Sequence, residues 1–298
     1  MKKAKEKSLV NCNLNSHKSA DIKQRIGFGI LRISVLIILV LLAVIIYDII
    51  SKGIGVISWE FLSQPPRRGM TEGGIWPAII GTVFVTMMTA VFAVPVGVFA
   101  AIYLNEYAKQ GKRTRIIRMA IRNLAGVPSV VYGLFGVALF VRRFAFGTSI
   151  LSAGLTLGLM TLPVTITASE EALKAVPNSY RHGALALGVS KWHSIKTNVL
   201  PHAISGIMTG AILGLSRAAG ETAPILFTGA AYSLPRIPSS LSSQFMALPY
   251  HLYIMSTQHS NIEMVRPIAY GTALVLISLV LIMNLGAIFI RSKFRNKH

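Results

Sequence analysis

Charge is scarce in this chain. Only 13% of its 298 residues are Asp, Glu, Lys or Arg, about half the share in a soluble domain of ordinary composition. Acids are scarcer still, 10 against 30 Lys and Arg. That shortage excludes an ordinary cytosolic globule. The single cysteine, Cys12, leaves no disulfide framework and no thiolate metal cluster. No C-x-x-C occurs, and the seven His lack the spacing of a zinc site. The chain also has no G-x-x-x-x-G-K-[ST] loop, so any ATP must be hydrolysed by another polypeptide. No nucleophile–base motif stands out. What is abundant is apolar: 53% of the residues, with a positive mean hydropathy. The composition is that of an integral membrane protein.

A bilayer core about 30 Å thick takes roughly 20 mostly apolar helical residues to cross. Six stretches qualify, at 27–50, 76–104, 124–140, 148–167, 204–227 and 268–290. The first exceeds the apolar region of a signal peptide and follows a mostly polar arm, so it is expected to remain as a signal anchor. Pro95 and Pro163 fall inside the second and fourth, where neighbouring helices can satisfy the freed backbone groups.

The cations then sort by side. One side takes Lys2, Lys3, Lys5, Lys7, Lys18, Lys23 and Arg25 of the arm, and Lys109, Lys112, Arg113, Arg115, Arg118 and Arg122 after the second span. It also takes Lys174, Arg181, Lys191 and Lys196 after the fourth span, and Arg291, Lys293, Arg295 and Lys297 of the tail. The alternate loops hold only Lys52, Arg67, Arg68, Arg142, Arg143, Arg236 and Arg266. This bias places both termini in the cytoplasm, which an even number of spans allows. The basic arm has neither aromatic interleaving nor a recognisable module, so no nucleic-acid partner is expected. Contact with anionic membrane lipid is expected. Arg32, at the cytoplasmic end of the first span, can snorkel to the interface.

Arg217 and Glu221 are the one ionisable pair deep in an apolar stretch. Each costs about 2.5–3.5 kcal/mol at a helix centre on insertion scales. Their i, i+4 spacing puts both on one helix face. The same stretch carries Gly206, Gly210 and Gly214, continued by Ala218 and Thr222. A small residue at every fourth position lets membrane helices approach closely. At roughly 100° per residue Arg217 lies about 60° around the helix from Gly214 and Glu221 about 20° from it. The pair is therefore expected to face packed protein or a cavity rather than lipid. One reading is an internal salt bridge holding two helices in register. The other is a transit path for an anion lined by Arg217, with Glu221 orienting it and Ser216 and Thr222 beside it. Arginine suits tetrahedral oxyanions because its planar fork offers bidentate donors and stays charged.

The segment 170–201 is too long for a simple turn. Pro177 can open a helix over 178–187, ended by Gly188 in a left-handed conformation. Ser190 is a suitable cap for a second helix over 191–199, which Pro201 is expected to stop. Surface helices without a partner are one reading and a docking surface the other. His251 in the outer loop and Tyr132 in the third span are lone groups that either touch substrate or belong to the core; His202 and Trp76 read as interfacial. The outer segment 228–267 either meets a partner or re-enters the membrane.

The stretch Glu171-Ala-Leu-Lys-Ala-Val-Pro177, followed by Ala184-Leu-Ala-Leu-Gly188 and Val199-Leu-Pro201, resembles the E-A-A loop of ABC importer permeases. Counting back from Leu200 and Pro201, the loop glycine falls on Gly188 and the triplet on His182, Gly183 and Ala184. His182 stands for the family glutamate, Gly183 for the first alanine and Asn198 for the isoleucine. Ser216-Arg-Ala-Ala-Gly-Glu-Thr-Ala-Pro224 resembles the fifth-helix signature of phosphate-specific (Pst) permeases of the A type. So do Gly73-Gly-Ile-Trp-Pro-Ala78, Ala125-Gly-Val-Pro-Ser-Val-Val-Tyr-Gly-Leu-Phe-Gly136 and Ala247-Leu-Pro-Tyr-His251. The likeness runs from about Gly73 to the end of the sixth span.

The resemblance implies an all-α, six-helix permease of the type I ABC importer fold in the bacterial cell membrane. Its expected divisions are a basic arm at 1–25, a membrane domain at 26–290 with a cytoplasmic coupling loop at 169–202, and a tail at 291–298. Its implied partners are a second, C-type permease, an ABC ATPase dimer and an extracytoplasmic phosphate-binding protein. ATP and Mg would sit on the ATPase, with no cofactor on this chain. In the family, the residues matching Arg217 and Glu221 are implicated in phosphate passage. The alternatives are a permease for another oxyanion such as sulfate or molybdate, a secondary anion transporter without an ATPase, and a regulatory membrane subunit.

Overall fold

A computed structural model describes the backbone of residues 2–295 and the side chains of residues 24–293. The basic residues Lys2 to Lys23, Cys12, and Arg295 and Lys297 lie outside the described side chains. Contacts divide the chain into two units, Met1–Lys52 and Gly53–His298. The first is taken up by α1 (Lys2–Gly53). Leu36, Ile37, Ile38 and Leu39, successive residues set about 100° apart around this helix, are all more than half exposed. An all-round apolar surface marks a helix that meets lipid or other apolar groups on every side.

The second unit begins with α2 (Trp59–Ser63) and a minimal antiparallel hairpin, β1 (Pro66–Arg67) with β2 (Glu72–Gly73). There follow α3 (Trp76–Ile102), α4 (Lys112–Leu124), α5 (Ser129–Gly136), α6 (Ile150–Lys174), α7 (Asn178–Ala186) and α8 (Lys191–Ser194). The chain closes with α9 (Leu200–Ala219), α10 (Ala223–Thr228), α11 (Leu248–Thr257) and α12 (Ile262–Arg295). Wide π-helical turns extend α3 at Tyr103–Tyr107 and α5 at Val137–Arg143, and join α8 to α9 at Ile195–Val199.

Among the described residues, five helical stretches are long and apolar enough to cross a bilayer: Gln24–Val56, Trp76–Tyr107, Ile150–Lys174, Lys191–Ala219 and Ile262–Lys293. The bent pair Lys112–Leu124 and Ser129–Arg143, which meet at 100°, reaches the same length and apolarity only when its two helices are taken together. The third span thus differs from the stretch 124–140. Leu124 closes α4, and the crossing segment starts at Ser129. Pro128 is the cause, because a proline pushes the residue before it out of the helical region. The helix over 191–199 is also not stopped by Pro201. The backbone continues through the π turn, where Leu200 N–H bonds to Ile195 O. Pro201, with no N–H to place, then falls in the first turn of α9, where none is required.

Helix α6 forms the axis of the second unit and is packed by α3, α5, α9 and α10. Several of its buried hydroxyls bond back within the helix: Thr156 Oγ1 donates to Ser152 O at 2.7 Å and Thr165 Oγ1 to Thr161 O at 3.1 Å, while the buried Ser169 hydroxyl has no partner among the described residues. Thr82, Thr86 and Thr89 do the same along α3 at 2.7–2.8 Å. Back-bonding of this kind keeps polar side chains without water. The first N–H groups of α6 are taken by the outer segment. Ser149 N–H donates to Thr228 O at 3.0 Å, Ile150 N–H to Ser243 O at 3.1 Å and Leu151 N–H to Leu241 O at 2.9 Å. The outer stretch is therefore an ordered cap on α6.

On α9, Gly206, Gly210 and Gly214 lie against α6 in antiparallel register. A Cβ on Gly206 would meet the Ala172 methyl at 2.7 Å, one on Gly210 would overlap the Ala168 methyl, and one on Gly214 would reach Thr165 Oγ1 at 3.6 Å. Helix α11 packs on α12 through a core that includes Leu248, Ile254, Met255 and Val265. His251 is buried there, its Nδ1 3.3 Å from Thr272 Oγ1. The Thr272 hydroxyl donates to Ile268 O at 2.9 Å, so Nδ1–H of a neutral imidazole is the donor to it.

Two outcomes follow from this packing. Gly210→Ala is expected to destabilise the assembled protein by about 1–3 kcal/mol, and Gly214→Ala to be close to neutral; thermal unfolding in detergent compares them. Burial lowers the His251 pKa from 6.5 to about 4. Its stabilising contribution is complete above pH 6.5 and is lost as pH falls toward 4, since the unfolded chain then binds the extra proton. His251→Gln is expected to flatten the acid limb of the stability profile.

Candidate functional site

Helix α9 ends two residues after Arg217. Gly220 N–H bonds to Arg217 O at 3.1 Å and Glu221 N–H to Ala218 O at 3.2 Å, and the helix stops at Ala219. Pro224 sits in the first turn of α10, which restarts at Ala223 after Thr222, whose carbonyl accepts from Leu226 N–H at 3.1 Å. The stretch 204–227 is therefore two helices with a break at 220–222. Glu221 lies in that break and not on the face of α9. The pair still meets: Arg217 Nε is 3.3 Å from Glu221 Oε1.

The two side chains differ in environment. Arg217 is 61% exposed and Glu221 18%, so the arginine does not face packed protein within this chain. Arg217 occupies a flank of α9 shared with Leu213 and Gly220, which are also exposed. On one side of that flank the glycine stripe meets α6; on the other, α9 meets α12. Nε alone of the guanidinium has a partner among the described residues, leaving its terminal nitrogens free. The register with α6 also sets the height. Gly206 opposes Ala172, Gly210 opposes Ala168 and Gly214 lies near Thr165 and Thr161, so Arg217 stands close to the middle of the Ile150–Lys174 helix.

The contact with α12 is polar. The Ser216 hydroxyl lies between Ile212 O, at 2.6 Å, and Asn284 Oδ1. Arg291 donates to Thr209 Oγ1 at 2.7 Å. Both partners step by seven residues, in opposite directions, which is the register of an antiparallel helix pair. Asn284 carries no charge and sits in an apolar run, so periodicity gives no signal for it. Beside this seam a cavity of about 130 Å³ is lined by Thr86, Met87, Ile212, Ser216 and Asn284.

The loop residues lie at the far end of α6. Helix α7 carries His182 and Gly183, both exposed, and the buried Ala184. Gly188 follows with φ +74°, a backbone shape that glycine adopts without strain. Ser190 caps α8 by accepting from His193 N–H at 3.4 Å. Leu200 and Pro201 open α9. Exposed Leu187, Tyr180 and Leu185 give α7 an apolar outer surface. A cleft of about 440 Å³ beneath it is lined by Glu106, Lys174, Arg181, His182 and Lys191. His202 packs on Tyr180, ring centroids 4.5 Å apart. Tyr132 and His251 both belong to the core; the Tyr132 hydroxyl donates to Leu124 O at 2.9 Å.

Two arginines sorted above as loop cations, each paired with a carboxylate, hold this end together. Arg181 pairs with Glu106 at 2.8 Å, and its NH1 and NH2 also donate to Val176 O and Leu173 O at 2.7 and 2.8 Å. Arg118 Nε approaches Glu170 Oε1 at 2.6 Å, and its NH2 donates to Leu104 O at 3.0 Å. Both carboxylates are nearly buried. The available signal was their rarity: Glu106 and Glu170 are two of ten acids in the chain, and both stand at the end of an apolar span.

A family model described as "Binding-protein-dependent transport system inner membrane component" matches residues 93–296. The "Probable ABC transporter permease protein YqgI" of Bacillus subtilis is 32% identical over 278 residues, 89% of this chain and 94% of that protein. The "Phosphate transport system permease protein PstA 1" of Mycobacterium tuberculosis is 37% identical over 220 residues, 74% of this chain and 71% of that protein. Among solved structures, a bacterial ABC transporter involved in the import of the acidic polysaccharide alginate superposes with a TM-score of 0.59. It covers 90% of this chain and 99% of that one at 12% identity, a likeness of fold alone.

Arg181→Leu leaves Glu106 buried without its partner and is expected to cost about 3–5 kcal/mol. The double variant Arg181→Leu/Glu106→Leu is expected to be the milder change. Limited proteolysis across 175–190 in the assembled protein, with thermal unfolding, measures the difference.

Proposed function

The chain belongs to the family of binding-protein-dependent transport system inner membrane components, and from that membership we propose that it is the A-type permease subunit of an ATP-driven importer of inorganic phosphate. It is a multi-pass protein of the bacterial membrane with the fold of type I ABC importer permeases. The observation that carries the site is the exposed guanidinium of Arg217 at mid-height of the bundle. A charge at that depth does not face lipid; it is covered by another protein surface or lines a water-filled passage. A second, C-type permease laid against the flank of α9 supplies that cover and completes the passage.

Arg217 then offers its free terminal nitrogens to a phosphate as a weak, transient site. Glu221, held at 3.3 Å, orients the guanidinium and limits how long the anion stays. Ser216 is tied to Asn284 and places the flank rather than contacting substrate, while Thr222 stands at the break. Relatives that are phosphate transport permeases support the substrate, and the family disfavours a secondary transporter. An ABC ATPase dimer, carrying ATP and Mg, docks on α7 around His182, Gly183 and Ala184. An extracytoplasmic phosphate-binding protein delivers the anion at the other end. The cation bias supports a cytoplasmic side for α7 and both termini. Closure of the ATPases moves α7 and rocks the helices about the Arg217 passage, giving alternating access.

Reconstitution with the partner permease, ATPases and binding protein tests this reading. Arg217→Gln is expected to cut phosphate uptake at least tenfold (about 1.4 kcal/mol or more) while the complex assembles and hydrolyses ATP at its basal rate. Uptake at the wild-type rate removes Arg217 from the passage. Competition by sulfate or molybdate as strong as by phosphate replaces the substrate but keeps the permease.

A further inference from the structure

Helix α4 has two uncovered surfaces of opposite chemistry. It meets the following Ser129–Arg143 segment at 100°. With that segment taken along the membrane normal, α4 runs nearly parallel to the membrane plane, and only residues 125–128 separate the two helices. Its sequence, Lys112-Arg-Thr-Arg-Ile-Ile-Arg-Met-Ala-Ile-Arg-Asn-Leu124, is strongly two-faced. At roughly 100° per residue, Ile116, Ile117, Ala120 and Leu124 gather on one side, and Arg115, Arg118 and Arg122 on another.

The contact with the bundle is made at one edge of the cationic side. Thr114 is buried, and Arg118 reaches Glu170 and Leu104 O. The apolar side is left open, with Ile116 63% exposed and Ile117 and Leu124 nearly half. So is the rest of the cationic side. The side chains of Arg115, Arg122 and Lys112 have no ion-pair or hydrogen-bond partner among the described residues and line a cleft of about 570 Å³.

We propose that α4 is an interfacial helix seated in an anionic leaflet, with Ile116, Ile117 and Leu124 at the acyl boundary and Arg115 and Arg122 on lipid phosphate groups. A bilayer surface is the occupant that satisfies both faces at once, since it offers apolar chains and negative headgroups in adjacent layers. The orientation of α4 and its continuity with a crossing segment place it at that boundary. Arg118 then plays a separate part, pinning the lipid-seated helix to the end of α6. The leaflet is the cytoplasmic one on the sidedness proposed above, but the seating does not depend on the substrate.

The test uses the assembled complex in nanodiscs of phosphatidylcholine with and without phosphatidylglycerol. A nitroxide is placed at Ile116→Cys in a Cys12→Ser background, and its collisions with oxygen and with a water-soluble nickel chelate are compared. Oxygen access with shielding from nickel is expected. Access to nickel, or shielding from both reagents as under a protein partner, overturns the proposal. The second arm measures immobilised spin-labelled phosphatidylglycerol relative to phosphatidylcholine. Arg115→Gln/Arg122→Gln is expected to lower that preference about fivefold, and excess inorganic phosphate to leave it unchanged. An unchanged preference in the variant, or displacement by inorganic phosphate, assigns the cations elsewhere and overturns the lipid assignment. Phosphate uptake on the same samples reports separately on the transport reading.

Discussion

The close approach of α9 to α6 sets the position of most of what matters in this protein. Lipid chains are as apolar as leucine, so helices in a membrane gain little from hiding apolar side chains and associate by fit. Here the fit is methyl against glycine, Ala172 on Gly206 and Ala168 on Gly210. Each contact fixes a rotation and a height together. Once the stripe is seated, Arg217 has one available flank and one available level. The break at 220–222 then turns Glu221 back toward it instead of carrying it up the same helix face.

At the end of the bundle that carries α7, fit gives way to charge. Two carboxylates, Glu106 and Glu170, are nearly buried among cations, and each holds an arginine that also donates to backbone carbonyls. Buried pairs of this kind add little net stability, because desolvation offsets most of the attraction. Their value is geometric: α3 and α7 are tied by one pair, α4 and α6 by the other. A helix pair held in this way moves as one body, and α7 cannot shift without taking the end of α3 with it.

Much of the architecture was legible in residue order. Long apolar runs mark the spans, Gly188 and Ser190 mark the turn and cap between α7 and α8, and the four-residue spacing of Gly206, Gly210 and Gly214 marks a packed face. What escaped has a common physical cause. Hydropathy sums over a window and does not register where a backbone stops being helical, so Pro128 and the Gly220–Thr222 break passed unseen inside apolar runs. Pro201 misled in the other direction, because a wide turn ahead of it removes the need for its missing N–H. Ion pairs between residues 75 apart, as for Glu106 and Arg181, leave no local pattern at all. Asn284 is a polar residue in an apolar run, and only the position of Ser216 across the seam explains it.

The unbroken run from Lys191 to Ala219 has a mechanical meaning. It is a shaft, about 39 Å from Lys191 to Arg217 at 1.5 Å per residue, with one end beside α7 and the other at the charged flank. A shaft carries torsion as well as tilt. Turning it by about 20° at the α8 end would sweep a side chain at a radius of roughly 6 Å through about 2 Å. That is most of a hydrogen-bond length at Arg217, and it requires the glycine stripe to slip against Ala168 and Ala172.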